Sequence, residues 1–383
     1  MRKFLTLTVL AAVLVLSAFM LAGCGDNDST SGDETRVVIG FAGPLTGDNA
    51  LYGTSMLDAV HIAIDELNAS SEARQKGIVF SVRAEDDAGD PKQAVNVANT
   101  LVADQNVIAV VGHFNSGASI PASAVYEEYD LSMVTVSTNP QLTDSGLSVV
   151  NRITARDDSQ GPFAAEIADE EGFERVAVLD DSTPYGQGLA AEFVKAFEEL
   201  GGEIVSEDQI QPKTVDFSAL VTRIGATSPD AVYYAGAHTE GALFAKQLRE
   251  AGVDIPVIGG EMIFTSDYIT LGGSGTEGDI ATALGLPIEQ QERGLEFLEK
   301  YRERYNREPE AYDTYAFDSA MLIGQAVFEA PELTRVAVGQ AIRNITHNGV
   351  TGTISFDSRG DNTQQIISAY IVLDGAWEPL IRR

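Results

Sequence analysis

Apolar positions along the chain switch between two patterns: short β-branched runs, and longer stretches with apolar residues three and four apart. The clearest case spans 107–138. It opens with Val107 to Val111, a run short and branched enough to be a strand buried on both faces. A turn through Gly112-His113-Phe114-Asn115-Ser116-Gly117 follows, then an amphipathic helix to about Tyr129. A second buried strand, Ser132 to Val136, ends in Ser137-Thr138-Asn139-Pro140. Two neighbouring strands therefore end in hydroxyl and amide side chains, and the first also delivers a helix start. Ligands of an open parallel sheet sit beyond the carboxyl ends of its strands. Free N–H groups at a helix start, with a serine at the N-cap, suit an anion. The pattern predicts a carboxylate site at Ser116 and Thr138. The plainer alternative is that Ser116 only caps its helix.

The same alternation runs on both sides of this stretch. Val37 to Phe41 predicts a strand, and the helix near Thr54–Asn68 places Leu57, Val60, Ile64 and Leu67 on one face. Ile78 to Glu85 is the next strand. Asp90-Pro91 then supplies an N-cap and a helix-compatible first residue for a helix to Ala103. Val149 to Thr154 returns as a strand, and Asp158-Ser159-Gln160-Gly161-Pro162 starts a helix. From Arg175 the alternation begins again, with strands Val176–Leu179, Glu203–Ser206, Ala231–Tyr234 and Pro256–Ile258. Helices near Gly188–Leu200, Phe217–Thr227 and Thr239–Ala251 separate them. Each unit takes about thirty residues, the spacing of parallel strands joined by right-handed crossovers. A tail from Glu289 to Asn344 reads as three helices, followed by strands near Gly352–Phe356 and Ile366–Leu373. It must pack on both blocks, so the chain crosses between them more than once. The fold class is α/β, two Rossmann-like open parallel-sheet lobes joined by a hinge, and hinged lobes bind ligand in the cleft between them.

At 383 residues the chain suggests two domains plus extras, and 44% apolar content with a mean hydropathy of −0.01 describes a folded globular protein. The charge is unusual. Removing a leader that holds Arg2 and Lys3 but no acid leaves 23 basic against 57 acidic residues, a net −34. Such a surface repels nucleic acid and anionic lipid, which excludes both as partners of the folded body. Lysines number seven against eighteen arginines, and the acids are spread along the chain. That resembles proteins adapted to high salt, where screening relieves self-repulsion; a strongly acidic mesophilic protein is the alternative.

The N-terminus adds an address. After Arg2-Lys3 come eighteen residues, Phe4 to Leu21, without charge, which reads as an export signal with a positive n-region. By length it could also be a marginal membrane span. Its end, Leu21-Ala22-Gly23-Cys24, resembles a bacterial lipobox, which makes residues 1–23 a lipoprotein signal peptide and Cys24 the lipid-modified first mature residue. Cys24 is the only cysteine, so a disulfide within the chain is excluded. Residues 24–35 read as a flexible tether, with no apolar residue from Gly25 to Thr35. The protein is therefore placed outside the cytoplasm, lipid-anchored to the cell membrane.

No enzyme signature is present. There is no G-x-S-x-G elbow, Walker lysine loop or H-E-x-x-H, and His61, His113, His238 and His347 lack metal spacing. No cofactor and no metal are expected. Leu271-Gly272-Gly273-Ser274-Gly275 reads as a loop. Asp86-Asp87 and Asp180-Asp181 end strands as paired carboxylates, which can serve acid–base chemistry; in a chain this acidic they read as solvated caps.

Several segments together resemble one family, the leucine/isoleucine/valine-type periplasmic binding proteins of ABC importers. They are Asp86-Asp87-Ala88-Gly89-Asp90-Pro91-Lys92-Gln93-Ala94-Val95, Val111-Gly112-His113 with Pro121-Ala122-Ser123, Tyr185-Gly186-Gln187-Gly188-Leu189-Ala190, Asp216-Phe217-Ser218, Val232-Tyr233-Tyr234 and Tyr315-Ala316. They occur in order from Arg36 to the C-terminus. The resemblance implies the periplasmic binding protein type I fold, with three hinge crossings. Its N-terminal lobe would be 36–155 plus 284–366, and its C-terminal lobe 156–283 plus 367–383. It also implies a site for an α-amino acid: Ser116 and Thr138 for the α-carboxylate, Glu261 and the Val136 carbonyl for the α-ammonium, and Tyr185 and Tyr52 against the ligand.

This sequence departs from the family's pattern in two places. Ala237 stands where typical members place a second tyrosine, which should enlarge or reshape the side-chain pocket. Gly89 and Asn115 replace a cysteine pair, and Asn115 could add a polar contact. The implied partners are an amino acid and a membrane permease, with the protein a monomer. The alternative is a sensor of the same fold for a small amide, urea or aromatic acid.

Overall fold

The computed structural model describes residues 34–291 and 293–380; the signal peptide, Cys24 and nearly all of the tether lie outside the described residues. In chain order the strands are β1 (Thr35–Gly43), β2 (Ile78–Asp86), β3 (Val107–Gly112), β4 (Met133–Thr135), β5 (Val150–Arg152), β6 (Arg175–Asp180), β7 (Glu203–Gln209), β8 (Ala231–Ala235), β9 (Val257–Gly259), β10 (Ile280–Leu284), β11 (His347–Gly349), β12 (Gly352–Ile354), β13 (Ile367–Leu373) and β14 (Ala376–Pro379). They form a five-stranded sheet, β2-β1-β3-β4-β5, and a seven-stranded sheet, β14-β13-β10-β9-β8-β6-β7. β3 is parallel to β1 and β4, and β4 to β5; in the second sheet β7, β6, β8, β9 and β10 are parallel throughout. The all-buried pattern of β3, β4, β5 and β8 is that of strands covered by helices on both faces.

Four details differ from the sequence reading. The second sheet is not purely parallel, because β13 and β14 extend it antiparallel from β10. Neither β10 nor β14 was anticipated: Ile280-Ala281-Thr282-Ala283-Leu284 has a single β-branched apolar residue and no alternation to mark it. The strand near Gly352 stops at Ile354 and pairs only with β11, in a small sheet of its own. Leu271–Gly275 is also not an open loop, since it joins the helix Ser266–Gly272 to a short 3-10 turn, Gly273–Thr276.

The strand-end aspartates are not solvated caps. Asp87 is fully buried, with Oδ2 2.6 Å from His113 Nδ1, while His113 Nε2 lies 3.0 Å from the Tyr126 hydroxyl. Asp86 accepts from the Leu45 and Thr46 N–H groups and the Thr46 hydroxyl, which folds the loop after β1. Asp181 accepts from Thr183, whose hydroxyl in turn caps the helix Pro184–Glu199. These carboxylates spend their charge on backbone N–H groups, threonine hydroxyls and one histidine, with Asp87 and Asp181 buried and Asp86 partly exposed.

The chain passes between the two sheets three times: after β5, after β10 and before β13. Arg152 anchors the first and third passages together. Its backbone N–H donates to Gly360 and its carbonyl accepts from Asn362, each at 3.0 Å or less. Its guanidinium is completely buried, bonded to Asp361 Oδ1 (2.9 Å), the Thr143 hydroxyl (2.7 Å) and the Ser137 carbonyl. Arg156 reaches the other oxygen of Asp361 at 2.7 Å. Burial alone would raise the Asp361 carboxyl, but the two arginines hold it below its ordinary range. Removing a partner from a buried ion pair strands the other charge, which costs about 3–5 kcal/mol. Asp361→Ala should therefore lower unfolding free energy by about that amount, measured by urea denaturation. A loss under about 1 kcal/mol would show that the arginines are satisfied without it.

Candidate ligand-binding site

One small cavity lies between the lobes at the carboxyl ends of β3, β4 and β9. It is lined by Phe114, Asn115, Ser116, Val136, Ser137, Thr138 and Tyr312 from one side and Tyr185, Glu261 and Met262 from the other. The helix Ser116–Glu128 starts at its edge, and the first N–H groups of a helix have no partner within it. The N-cap is Asn115 and Ser116 is the first helical residue, so Ser116 does not act as a cap. Its Oγ sits 3.4 Å from the Asn139 N–H. Beneath these residues a hydroxyl network fixes the floor: Ser137 Oγ lies 2.5 Å from Ser119 Oγ and donates to the Phe114 carbonyl, and Thr135 donates to the His113 carbonyl.

The opposite wall is acidic. Glu261 follows β9 in a 3-10 turn and is buried, accepting hydrogen bonds from the Tyr185 hydroxyl (2.7 Å) and the Tyr312 hydroxyl (3.0 Å). Its backbone N–H donates to Gln160 Oε1 at 3.1 Å. Gly260 is required by close approach, because a Cβ there would collide with the Tyr185 hydroxyl and with Leu189. A second carboxylate, Asp157, interacts with Glu261 from outside the cavity lining. It opens the helix Asp157–Glu170 just beyond Arg152, is fully buried, and its Oδ2 has no hydrogen-bond partner.

Of the residues singled out in the sequence, Ser116, Thr138, Glu261, Tyr185, Asn115 and Val136 meet in this one cavity. Tyr52 stands just behind it. Its ring stacks on Phe114 at 5.0 Å, and its hydroxyl donates across the lobes to the Met262 carbonyl at 2.8 Å. That single proton is spent, so His238 Nδ1, 3.1 Å away, must be the donor to the Tyr52 oxygen. Ala237 is outside the cavity lining. Its carbonyl accepts from Tyr234, and the ring of its neighbour His238 packs edge-on against Tyr52 at 5.5 Å. Gly89 and Asn115 do lie side by side, a Cβ on Gly89 falling 3.0 Å from Asn115 Oδ1.

Sequence reasoning missed Asp157, Gln160, Phe114, Met262, His238 and Tyr312. Gln160 was visible only as part of a helix start read from Asp158, one residue after Asp157. A carboxylate beside an amide, directly after a hinge strand, is the signal that could have found them. Among the described residues no three His, Cys, Asp or Glu side chains gather as a metal site.

The family model described as periplasmic binding protein matches residues 36–375. The Leu/Ile/Val-binding protein homolog 1 of Brucella suis biovar 1 is 34% identical over 328 residues, covering 85% of this chain and 87% of the relative. A leucine binding protein from Thermotoga maritima superposes with a TM-score of 0.83 at 28% identity, over 90% of this chain and 98% of that one. The branched-chain amino acid transporter substrate binding protein of Streptococcus pneumoniae, solved with isoleucine, gives 0.81 at 26% identity, over the same 90% and 98%.

Asp157 is pushed well above the ordinary carboxylate range, by burial first and then by the charge of Glu261, with a hydrogen bond from Thr138 opposing. Burial raises Glu261 as well, against the hydrogen bonds from Tyr185, Gln160 and Tyr312. The folded chain therefore holds protons that the unfolded chain has already released above the ordinary value of 3.8 for Asp. Where the folded state binds more protons, stability falls as pH rises. This part of the stability is present at acid pH and is lost as pH climbs through the raised values. Asp157→Asn should flatten that decline and raise the melting temperature at pH 8, read by calorimetry from pH 5 to 8. A melting temperature lowered equally at every pH would mean that Asp157 is needed as a hydrogen-bond acceptor and not penalised as a charge.

Proposed function

The chain belongs to the periplasmic binding protein family, and from that premise we propose that it captures a neutral α-amino acid between its lobes and delivers it to the permease of an ABC importer. It is an extracytoplasmic solute-binding protein and not an enzyme; its relatives are named for binding leucine, isoleucine and valine. The observation that carries the ligand class is the polarity of the cavity. Hydroxyls and a helix start line one wall, and the buried carboxylate of Glu261 lines the other, with the buried Asp157 close enough to interact with it.

A zwitterion matches this arrangement end for end. Ser116, Thr138 and the N–H groups of the helix would take the carboxylate. Glu261, Asp157 and the Val136 carbonyl would take the ammonium, whose charge relieves the like-charge repulsion between the two acids. Tyr185 would orient Glu261, Tyr52 would hold the lobes shut through Met262, and Asn115 would offer its unpartnered Oδ1 at the rim. Lobe boundaries at 36–155 plus 284–366 and 156–283 plus 367–383 place each passage between sheets in the hinge. Binding would then select the closed arrangement that the permease recognises. The lipobox ending at Cys24 supports a lipid anchor, the −34 charge supports a salt-tolerant surface, and the two-lobed closure supports a monomer.

The test is a thermal-shift screen of the chain from Gly25 onward with the twenty amino acids, urea and small amides, in low and in molar salt. A ligand at 100 times its dissociation constant adds roughly 2.7 kcal/mol of stability. An amino acid should shift the melting temperature, and Glu261→Ala should abolish the shift while the protein still unfolds cooperatively. A shift produced only by an amide, or by an acid without an amine, would replace the importer reading with that of a sensor.

A further inference from the structure

Behind Glu261 the cavity wall is held by an amide. Gln160 stands in the first turn of the helix Asp157–Glu170, which begins where the chain first passes between the lobes, and its side chain is completely buried. Gly161, the next residue, lets that helix close on the helix Pro184–Glu199. A Cβ at Gly161 would fall 2.7 Å from the Phe193 nitrogen. Backbone packing therefore fixes the point from which the Gln160 side chain reaches.

Its Oε1 accepts from the Glu261 N–H at 3.1 Å and from the Thr282 hydroxyl at 2.6 Å. A backbone N–H can only donate, so the amide must present its oxygen there and its NH2 group elsewhere. Nε2 is turned to the acids. It lies 3.5 Å from Asp157 Oδ1, and the Gln160 amide joins Tyr185 and Tyr312 in holding the Glu261 carboxyl down against burial. Three segments meet on this side chain. Asp157 opens the helix after the first passage, Glu261 follows β9, and Thr282 sits on β10 two residues before its end, where the second passage starts.

Neutrality matters here as much as reach. A glutamate of the same length would set a third acid against two, and a lysine would bring a cation of the protein's own to the acids. A glutamine supplies N–H donors with no net charge, which orders the acids and leaves them short of a cation.

Resting on the amino-acid reading above, we propose that Gln160 is a positioning residue for ammonium recognition: it fixes the turn that carries Glu261, orders that carboxylate beside Asp157, and ties it to the hinge through Thr282. Gln160 stands outside the cavity lining and acts through Glu261.

The experiment uses Gln160→Met, which keeps the length of the side chain and removes both ends of the amide. Wild type and variant are titrated calorimetrically with alanine, leucine and phenylalanine at pH 7, and melted without ligand from pH 5 to 8. Each amino acid that binds the wild type should bind the variant about ten-fold weaker or worse, the effect of unpairing buried polar groups. The melts separate positioning from packing. Tyr185, Tyr312 and Gln160 face Glu261 as donors and Asp157 interacts with it as an acid, while Arg152 and Asp158 act on Asp157. Without the Gln160 donor the Glu261 carboxyl rises further above its ordinary 4.5 in the folded state. A group raised on folding stabilises at acid pH and loses that contribution as pH climbs through the raised value. The melting temperature of Gln160→Met should therefore fall more steeply with pH than that of the wild type. A smaller loss of affinity, or a melting temperature lowered equally at every pH, overturns the proposal. Should Gln160→Met fail to fold, Thr282→Val, which removes one donor to Oε1, decides in its place: an affinity loss of about three-fold or more supports the proposal and a smaller one overturns it. A wild type that binds none of the three amino acids overturns the amino-acid reading, and this proposal with it, before any variant is compared.

Discussion

Two carboxylates buried at the seam between lobes set the terms for everything around them. Burial makes both Asp157 and Glu261 costly to ionise, the charge of Glu261 adds to that cost at Asp157 and Arg152 offsets part of it, and no arginine or lysine lines the cavity beside Glu261. Three responses are open to such a pair: hold a proton, gather hydrogen-bond donors, or admit a cation. Glu261 takes the second, with two phenol donors and the amide environment of Gln160. Asp157 is left with an oxygen that meets no donor at all. A folded protein tolerates such an oxygen where its cost is recovered in another state, and here the proposed ligand ammonium is the charge that would recover it. In that reading the polarity of the cleft and the stability of the free protein are two readings of the same desolvation.

The hinge must be firm where the cleft is strained. Arg152 is the largest fully buried side chain among the described residues, and it sits five residues before Asp157 in the chain. Its guanidinium ties β5 to the 357–362 segment, while its Nη1 also reaches the Ser137 carbonyl beside the proposed carboxylate subsite. One cation thus fixes the geometry of a passage between lobes and of the cavity floor. Asp361 is shared with Arg156, and Arg152 also offsets part of the charge of Asp157, while burial and Glu261 still leave that carboxyl raised. The acids at the seam stay available.

Periodicity made the fold legible because parallel β/α units bury both faces of each strand, and burial writes itself as unbroken apolar runs. Val107–Val111 and Ala231–Tyr234 read correctly for that reason. β10 did not, because Ile280–Leu284 alternates small residues that fit under helices without a β-branched signature. The candidate site was half legible. Ser116 and Thr138 could be placed from strand ends and a helix start, which are local features. Glu261 needed a resemblance, since nothing within its own segment marks an acid at a seam. Asp157, Tyr312 and His238 were invisible because their surroundings are made by residues up to 260 positions away, and an acid following a strand looks alike in sequence whether it caps a helix in water or faces another acid in the interior. The strand-end aspartates show the converse error, with composition arguing for solvent where Asp87 is in fact locked to His113.

Closure and selectivity draw on the same side chains, and that coupling is the last consequence of the geometry. Tyr52 spans the lobes by donating to Met262, and Tyr312 spans them by donating to Glu261. Both bonds exist only when the lobes meet, so each stabilises the closed arrangement without any ligand. A free protein that closes unaided delivers false signals, and the like-charge penalty at Asp157 and Glu261 works against that closure. The two phenols and the two acids therefore oppose each other, leaving the closed state poised. In the proposed reading a ligand ammonium would offset the penalty while competing with Tyr312 for Glu261, so the net gain on binding would be smaller than the electrostatic term alone. In such a balance, affinity depends on what replaces the Tyr312 contact, and the part of the ligand beyond the α-carbon decides it.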